Sequence, residues 1–443
     1  MIKNKFFVLL LNKKFPKHIK TAILNFAFSF VFLFFFILID NKVLSSKKLI
    51  NIQGNFYVLH IILLNFAVLT FISFMWNEYI KNKFIAKYTN NLVIVSSLVV
   101  IISPLLEDTE NFYTGKCLAL TENIFYITGF LGFFTSIFLK AIFVIFEIFK
   151  NYKNYMNNAK LKTIFFLNFT SVFTFILVYI SLLISFTYFY FIKDISIKIT
   201  NLSILYKNFL YIPEQILVFF YNHVLLGSMI LFFSKFKNYE IKYLDFFNIL
   251  ILVNPIFNIF NFYSYFYCSF FDLESQIQYF KIIRSLFLII PFCFYLLLIM
   301  EFIFNRRNFL FGILVLFIIA NLILRELNIL VYNAILDPFK LEIFLTLFFV
   351  GYLTVFKFEV NKISKFFLQI YSFIFSVILN VITSTIMIIY EYSLLKMRVL
   401  SYILTSCFNI SIIILLLSNV YFIMNLFLSK NFISNTDSEK LTV

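Results

Sequence analysis

The chain has 443 residues, of which 62% are hydrophobic and only 13% charged, and its mean hydropathy is +0.95. A soluble domain of ordinary composition has about a quarter of its residues charged, so a water-soluble globule is excluded and a polytopic membrane protein is expected. The net charge of +16 would suit nucleic acid, but the lysines stand between apolar runs, where they orient spans and meet anionic headgroups. The expected partner is the lipid bilayer, and no nucleic acid is expected.

Residues 1–20 carry six lysines and no cleavage-site pattern, so a basic cytoplasmic segment is expected there rather than a signal peptide. A helix needs about 20 apolar residues to cross the hydrocarbon core. Runs of that kind fall at about 21–40, 56–76, 91–105, 123–147, 163–192, 212–234, 246–266, 282–303, 309–324, 339–357, 366–390 and 402–428, about twelve spans in all. The third and ninth are short. Barrel strands alternate over about 10 residues; these runs do not, so helices are expected. The predicted architecture is all-α, with a transmembrane domain over 21–428 and a cytoplasmic tail over 429–443.

Lysine and arginine set the orientation. With the N-terminus inside, the cytoplasmic loops 77–90, 148–162 and 235–245 hold three, four and three lysines. The outer loop 106–122 holds Glu107, Asp108, Glu110 and Glu122 against Lys116. Both termini are therefore placed in the cytoplasm. Pro104, Pro213 and Pro255 are read at span ends, and Pro291 within span eight, where it should kink the helix.

The 69 phenylalanines and 27 tyrosines go with an excess of Ile, Lys and Asn. That pattern is compositional drift, so aromatic runs are not read as stacking sites. With 7 glycines in the chain, phosphate-cradling glycine loops are nearly excluded, and no nucleotide loop, serine-nucleophile pattern or H-E-x-x-H occurs. Cys117, Cys268, Cys293 and Cys407 are scattered without a C-x-x-C, which argues against a soft metal site. Cys117 and Cys268 both fall in loops placed outside, which leaves a disulfide between them open.

Few charged groups lie within the spans. His60, in FYVLHIILLNF, sits about one turn inside span two; His223, in FYNHVLLGSMI, is central to span six. Each reads either as a metal or heme ligand or as a packed histidine hydrogen-bonded to a neighbouring helix, and for His223 the neighbour could be Asn222. Lys140 in span four can snorkel. Arg284 opens span eight, and Arg325 and Glu326 read as an outer interfacial loop. No row of carboxylates lies along one helix, so a proton relay is not supported.

Twelve spans, an inside N-terminus and histidines in spans two and six resemble the catalytic subunit of the heme-copper oxidases, the group of cytochrome c oxidase subunit I and the nitric oxide reductase large subunit. The run from Glu214 to Leu225 is similar to the family's E…GGGHVLQ stretch, with Phe219, Phe220, Tyr221 and Asn222 replacing its small residues. Ser103–Gly115 is similar to its outer loop after span three, and Asp337–Leu353 to the segment that opens span ten. The resemblance implies three four-helix arcs, with His60 at a heme-ligand position and His223 at a copper-ligand position. It also implies partner histidines that this chain lacks. Aligned on Gly351, the family's span-ten H-x-H pair falls on Pro338 and Lys340, and no histidine follows His223.

A single imidazole cannot hold copper against the competing ligands of a cell. The implied protein is therefore a divergent, catalytically degenerate oxidoreductase relative in the cytoplasmic membrane, associated with respiratory subunits. It would carry one heme at most and no copper, with His60 and His223 as vestigial positions. Two other readings stay open. A twelve-span secondary transporter or lipid-linked-sugar flippase would need a polar cavity lined by charges, with Lys140 the best candidate. A membrane scaffold would have neither cavity nor cofactor.

Overall fold

The computed structural model of the chain describes residues 17–40, 47–77, 80, 83–103, 124–156, 159–195, most of 216–227, 244–271 and single positions between 282 and 418. Among the described residues seven helices are continuous: α1 Lys17–Asp40, α2 Lys47–Asn77, α3 Lys83–Ile102, α4 Ile124–Lys150, α5 Tyr152–Met156, α6 Ala159–Ile195 and α7 Leu244–Phe271. A shorter helical stretch, Ile216–Leu225, lies between α6 and α7. No strand occurs among the described residues. Most of spans eight to twelve, residues 1–16 and the tail lie outside the described residues.

Among the described residues three stretches are long and apolar enough to cross a membrane: Phe84–Ile102, Ile124–Lys150 and Phe165–Thr187, with 19, 27 and 23 residues. Shorter apolar stretches run over Lys20–Phe36, Leu59–Ser73 and Asn248–Phe257. The protein is all-helical across the described residues, and these helices suit it to a membrane.

The helices carry two marks of a lipid environment. Hydroxyl side chains donate back to carbonyls of their own helix, as Thr70 does to Phe66 (2.6 Å), Thr174 to Thr170 (2.6 Å), Ser136 to Phe133 (2.6 Å) and Thr187 to Leu183 (2.8 Å). Where no water is at hand, each polar group must be satisfied within the fold. Second, large apolar side chains point outward, among them Phe34 on α1, Phe84 on α3, Phe146 and Phe149 on α4, and Leu183 on α6. Small polar side chains such as Asn25, Ser73, Ser97 and Ser136 are fully buried instead.

The chain forms two compact units. The first comprises Met1–Gly227, Ile251–Phe262 and Glu342–Thr354, and so holds α1 to α6. Within it α1 packs mainly on α2, α3 on α4, and α4 also on α6 and α2. The α3–α4 contact is close because Gly129 and Gly132 face Ser96. A Cβ on Gly129 would lie 2.8 Å from Val100 Cγ2 and 3.0 Å from the Ser96 carbonyl oxygen. Small residues at such a seam let helix backbones approach in lipid.

Beside this seam an aromatic core joins α2, α4, α6 and Ile216–Leu225. Phe66 stacks on Phe133 with ring centroids 3.6 Å apart, and Phe175 meets Trp76, Phe134 and Phe220 at 5.9, 6.1 and 5.7 Å. Some of the phenylalanines set aside as drift thus form the packing core.

The second unit comprises Ser228–Leu250, Tyr263–Leu341 and Val355–Val443. Its described positions between 403 and 418 show one buried face, Leu404, Ser411 and Ser418, and one exposed face, Ile403, Ile410 and Leu417. Each set recurs every seven residues, as one face of a helix does.

Several boundaries differ from the sequence reading. The third span, expected over 91–105, is helical from Lys83, because Thr89 donates to the Ile85 carbonyl (2.9 Å) and Asn90 turns inward. The helix expected over 56–76 begins at Lys47, and that expected over 163–192 runs over Ala159–Ile195. Pro255 lies inside α7 rather than at a span end. A membrane helix tolerates the lost N–H where neighbouring groups satisfy the freed carbonyl. Because α7 runs on to Phe271, Cys268 is helical and not in an outer loop. Cys117 lies outside the described residues, while Cys293 and Cys407 are free thiols.

Candidate functional site

The polar interior of the first unit has its charged point at Lys140. It sits 10 residues from the end of α4, in a helix otherwise made almost entirely of apolar and small residues, and its exposure is 0%. Gly132, Ser136 and Lys140 recur every four residues, so the amine continues the close face that α4 presents to α3. Its Nζ donates to Asn90 Oδ1 on α3, and to Ser73 Oγ on α2 at 3.4 Å. Ser73 directs its own proton to the Thr70 carbonyl (2.9 Å), which leaves its lone pairs facing the amine. Both partners are neutral. The expected snorkelling does not occur: Lys140 turns into the bundle, because acceptors from two helices meet it there.

A second polar line runs along α1. Thr21, Asn25 and Ser29 are spaced by four residues and all are buried. Asn25 Nδ2 donates to Ser97 Oγ on α3 at 3.0 Å, while its Oδ1 is buried without a hydrogen bond. Ser97 stands seven residues beyond Asn90, two turns along the same face of α3.

Ser29 meets His60 of α2. The serine hydroxyl donates to the His60 carbonyl oxygen (2.9 Å), and His60 Nδ1 lies 3.0 Å from the Ser29 carbonyl oxygen and 2.8 Å from Ser29 Oγ. A carbonyl oxygen only accepts, so Nδ1 carries the proton and Nε2 the lone pair.

His223 is held by its other nitrogen. Its Nε2 meets Thr170 Oγ1 on α6, and that hydroxyl gives its proton to the Phe166 carbonyl at 2.7 Å. Nε2 is then the donor. Next to it, Tyr221 donates to Asn65 Oδ1 on α2 at 2.6 Å, and Asn65 donates onward to the Ile61 carbonyl at 2.8 Å. Asn222, the neighbour that sequence offered to His223, takes no part: it is 2% exposed, and neither end of its amide forms a hydrogen bond.

Each predicted histidine is thus inside the bundle and bound to a hydroxyl of another helix, but on different helix pairs and through opposite nitrogens. A low-spin heme of the family's kind needs two axial imidazoles, and its copper site three. Among the described residues no group of three His, Cys, Asp or Glu side chains converges, and the two imidazoles are held on separate helix pairs. Neither full ligand set of the family is assembled among the described residues. Glu214, Arg284, Arg325, Glu326, Pro338 and Lys340 lie outside the described residues, and His18 is on the first turn of α1.

Sequence reasoning missed Asn90, Ser73, Asn25, Ser97, Asn65 and Thr170. One signal was present: Asn25 and Ser29, like Gly132 and Lys140, recur on single helix faces at multiples of four. No known protein family, curated protein or solved structure matches this chain.

Proposed function

We propose that the protein is a multi-pass membrane carrier of the twelve-span secondary transporter or lipid-linked-sugar flippase class, with Lys140 as the group that meets its solute. The observation that carries this reading is the amine itself, fully buried in an apolar helix and held by Asn90 and Ser73. An ionisable side chain at membrane depth costs several kcal/mol, and a purely structural bundle would fill the position with methionine or leucine. The buried polar residues of α1 and α3 support the same reading, since a solute path needs hydrogen-bonding groups from several helices.

The test is reconstitution into proteoliposomes with solid-supported membrane recording across a panel of ions, carboxylates, sugars and lipid-linked sugars. At least one solute should move, and Lys140→Met should cut its flux by about tenfold or more. Flux that persists in Lys140→Met would remove the residue from the path, and absence of movement across the whole panel would sink the carrier reading.

A second reading keeps the likeness to heme-copper oxidase subunits: a degenerate member with respiratory partners. It is favoured by one detail, the Nδ1–H of His60 held on a backbone carbonyl, the arrangement by which ligating histidines are commonly oriented. Pyridine hemochrome analysis of the purified protein decides it. About one heme per chain, lost in His60→Ala, would support it; a heme-free preparation from heme-replete cells would exclude heme binding.

A further inference from the structure

We propose that Lys140, Asn90 and Ser73 form a binding site for one small monovalent anion. The inference rests on the carrier reading for its purpose, but not for its chemistry. An ammonium has three N–H donors. One goes to Asn90 Oδ1 and one to Ser73 Oγ, so the third is left for a guest. Both fixed partners are neutral, and Ser73 turns its own proton away toward Thr70, so the serine and the amide carbonyl hold the amine without neutralising it.

The buried residues of α4 within about one turn of Lys140 are apolar or small. Ile137, Ala141 and Val144 of α4 are fully buried, as is Ser136 one turn away. In such surroundings a lone positive charge is costly, and a bound anion offsets that cost through a charge-assisted hydrogen bond. The charge limits the guest. A single ammonium balances one negative charge, whereas a dianion would leave a net charge in the same low-dielectric place. One free N–H suits a halide or a single carboxylate group.

The test uses the purified full-length protein in detergent, melted by intrinsic fluorescence in gluconate buffer with chloride, formate, acetate or sulfate added at constant ionic strength. Chloride or a short carboxylate should raise the midpoint by about 3 °C or more, and sulfate should not. Lys140→Met should lose the anion response. Asn90→Asp guards against a variant that merely fails to fold. It keeps the side-chain shape and brings a carboxylate to the amine, so the protein should melt normally and no longer respond to anions. No response in the wild type, a response that survives in both variants, or equal stabilisation by sulfate would overturn the site. A response without solute flux in proteoliposomes would leave the site standing and remove the carrier reading.

Discussion

Lys140 stands apart from the other interior polar residues because its charge cannot be met by a carbonyl of its own helix. Thr70, Thr135, Thr170 and Thr174 each place a proton on the carbonyl four residues back, which satisfies them locally. Even between helices the pattern is economical. Thr135 gives its proton to Leu131, so the 2.9 Å contact with Tyr179 on α6 must be donated by the tyrosine. The amine is ionisable, has neutral partners and has a donor to spare, and for this reason the substitution expected to change function is at Lys140 and not at His60 or His223.

The positions of both histidines within helices were legible in the sequence, since an apolar run announces its own interruptions. Their partners were not. Ser29 lies 31 residues from His60, and Thr170 lies 53 from His223. Nothing in either segment records which neighbouring helix face it meets. The same holds for Lys140, whose partners stand 50 and 67 residues away.

At the scale of the helices, the close seam between α3 and α4 is what brings Asn90 to Lys140. Gly129 and Gly132 let the two backbones approach two to three turns above the amine. Gly129→Leu should therefore do two things at once. It should push Val100 and the Ser96 carbonyl away, lowering stability by about 1–3 kcal/mol through overpacking. It should also weaken any response that depends on Asn90 reaching Lys140. A thermal melt of the purified variant checks the first effect; an unchanged midpoint would mean that the seam relaxes without cost.

The extent of α3 was misjudged from sequence for a related reason. Thr89 and Asn90 look like loop residues in a linear reading, but one is satisfied inside its own helix and the other by a lysine on the next. Polar residues mark loops only where the fold offers them no partner.

For the molecule as a whole, composition alone called for a membrane protein. The described helices agree, with three stretches able to cross a bilayer. The twelve-span order with both termini inside is an expectation that labelling can test. In a variant freed of native cysteines, a membrane-impermeant maleimide should reach Ser45→Cys, between α1 and α2, from outside intact cells. It should reach Asn158→Cys, between α5 and α6, and Ser438→Cys in the tail only after permeabilisation. External labelling of the tail would make the number of spans odd and break the proposed order.

The length of α6 has a further consequence. Its 37 residues extend about 55 Å, and its apolar stretch of 23 residues about 35 Å, more than the roughly 30 Å of an average hydrocarbon core. Such a helix accommodates by leaning, or by thickening the lipid around it. Thr170 and Tyr179 travel with it, and so do their contacts to His223 and Thr135. Bilayer thickness should therefore act on this protein's interior: lipids with longer acyl chains should let α6 stand more upright, and shorter chains should lay it over.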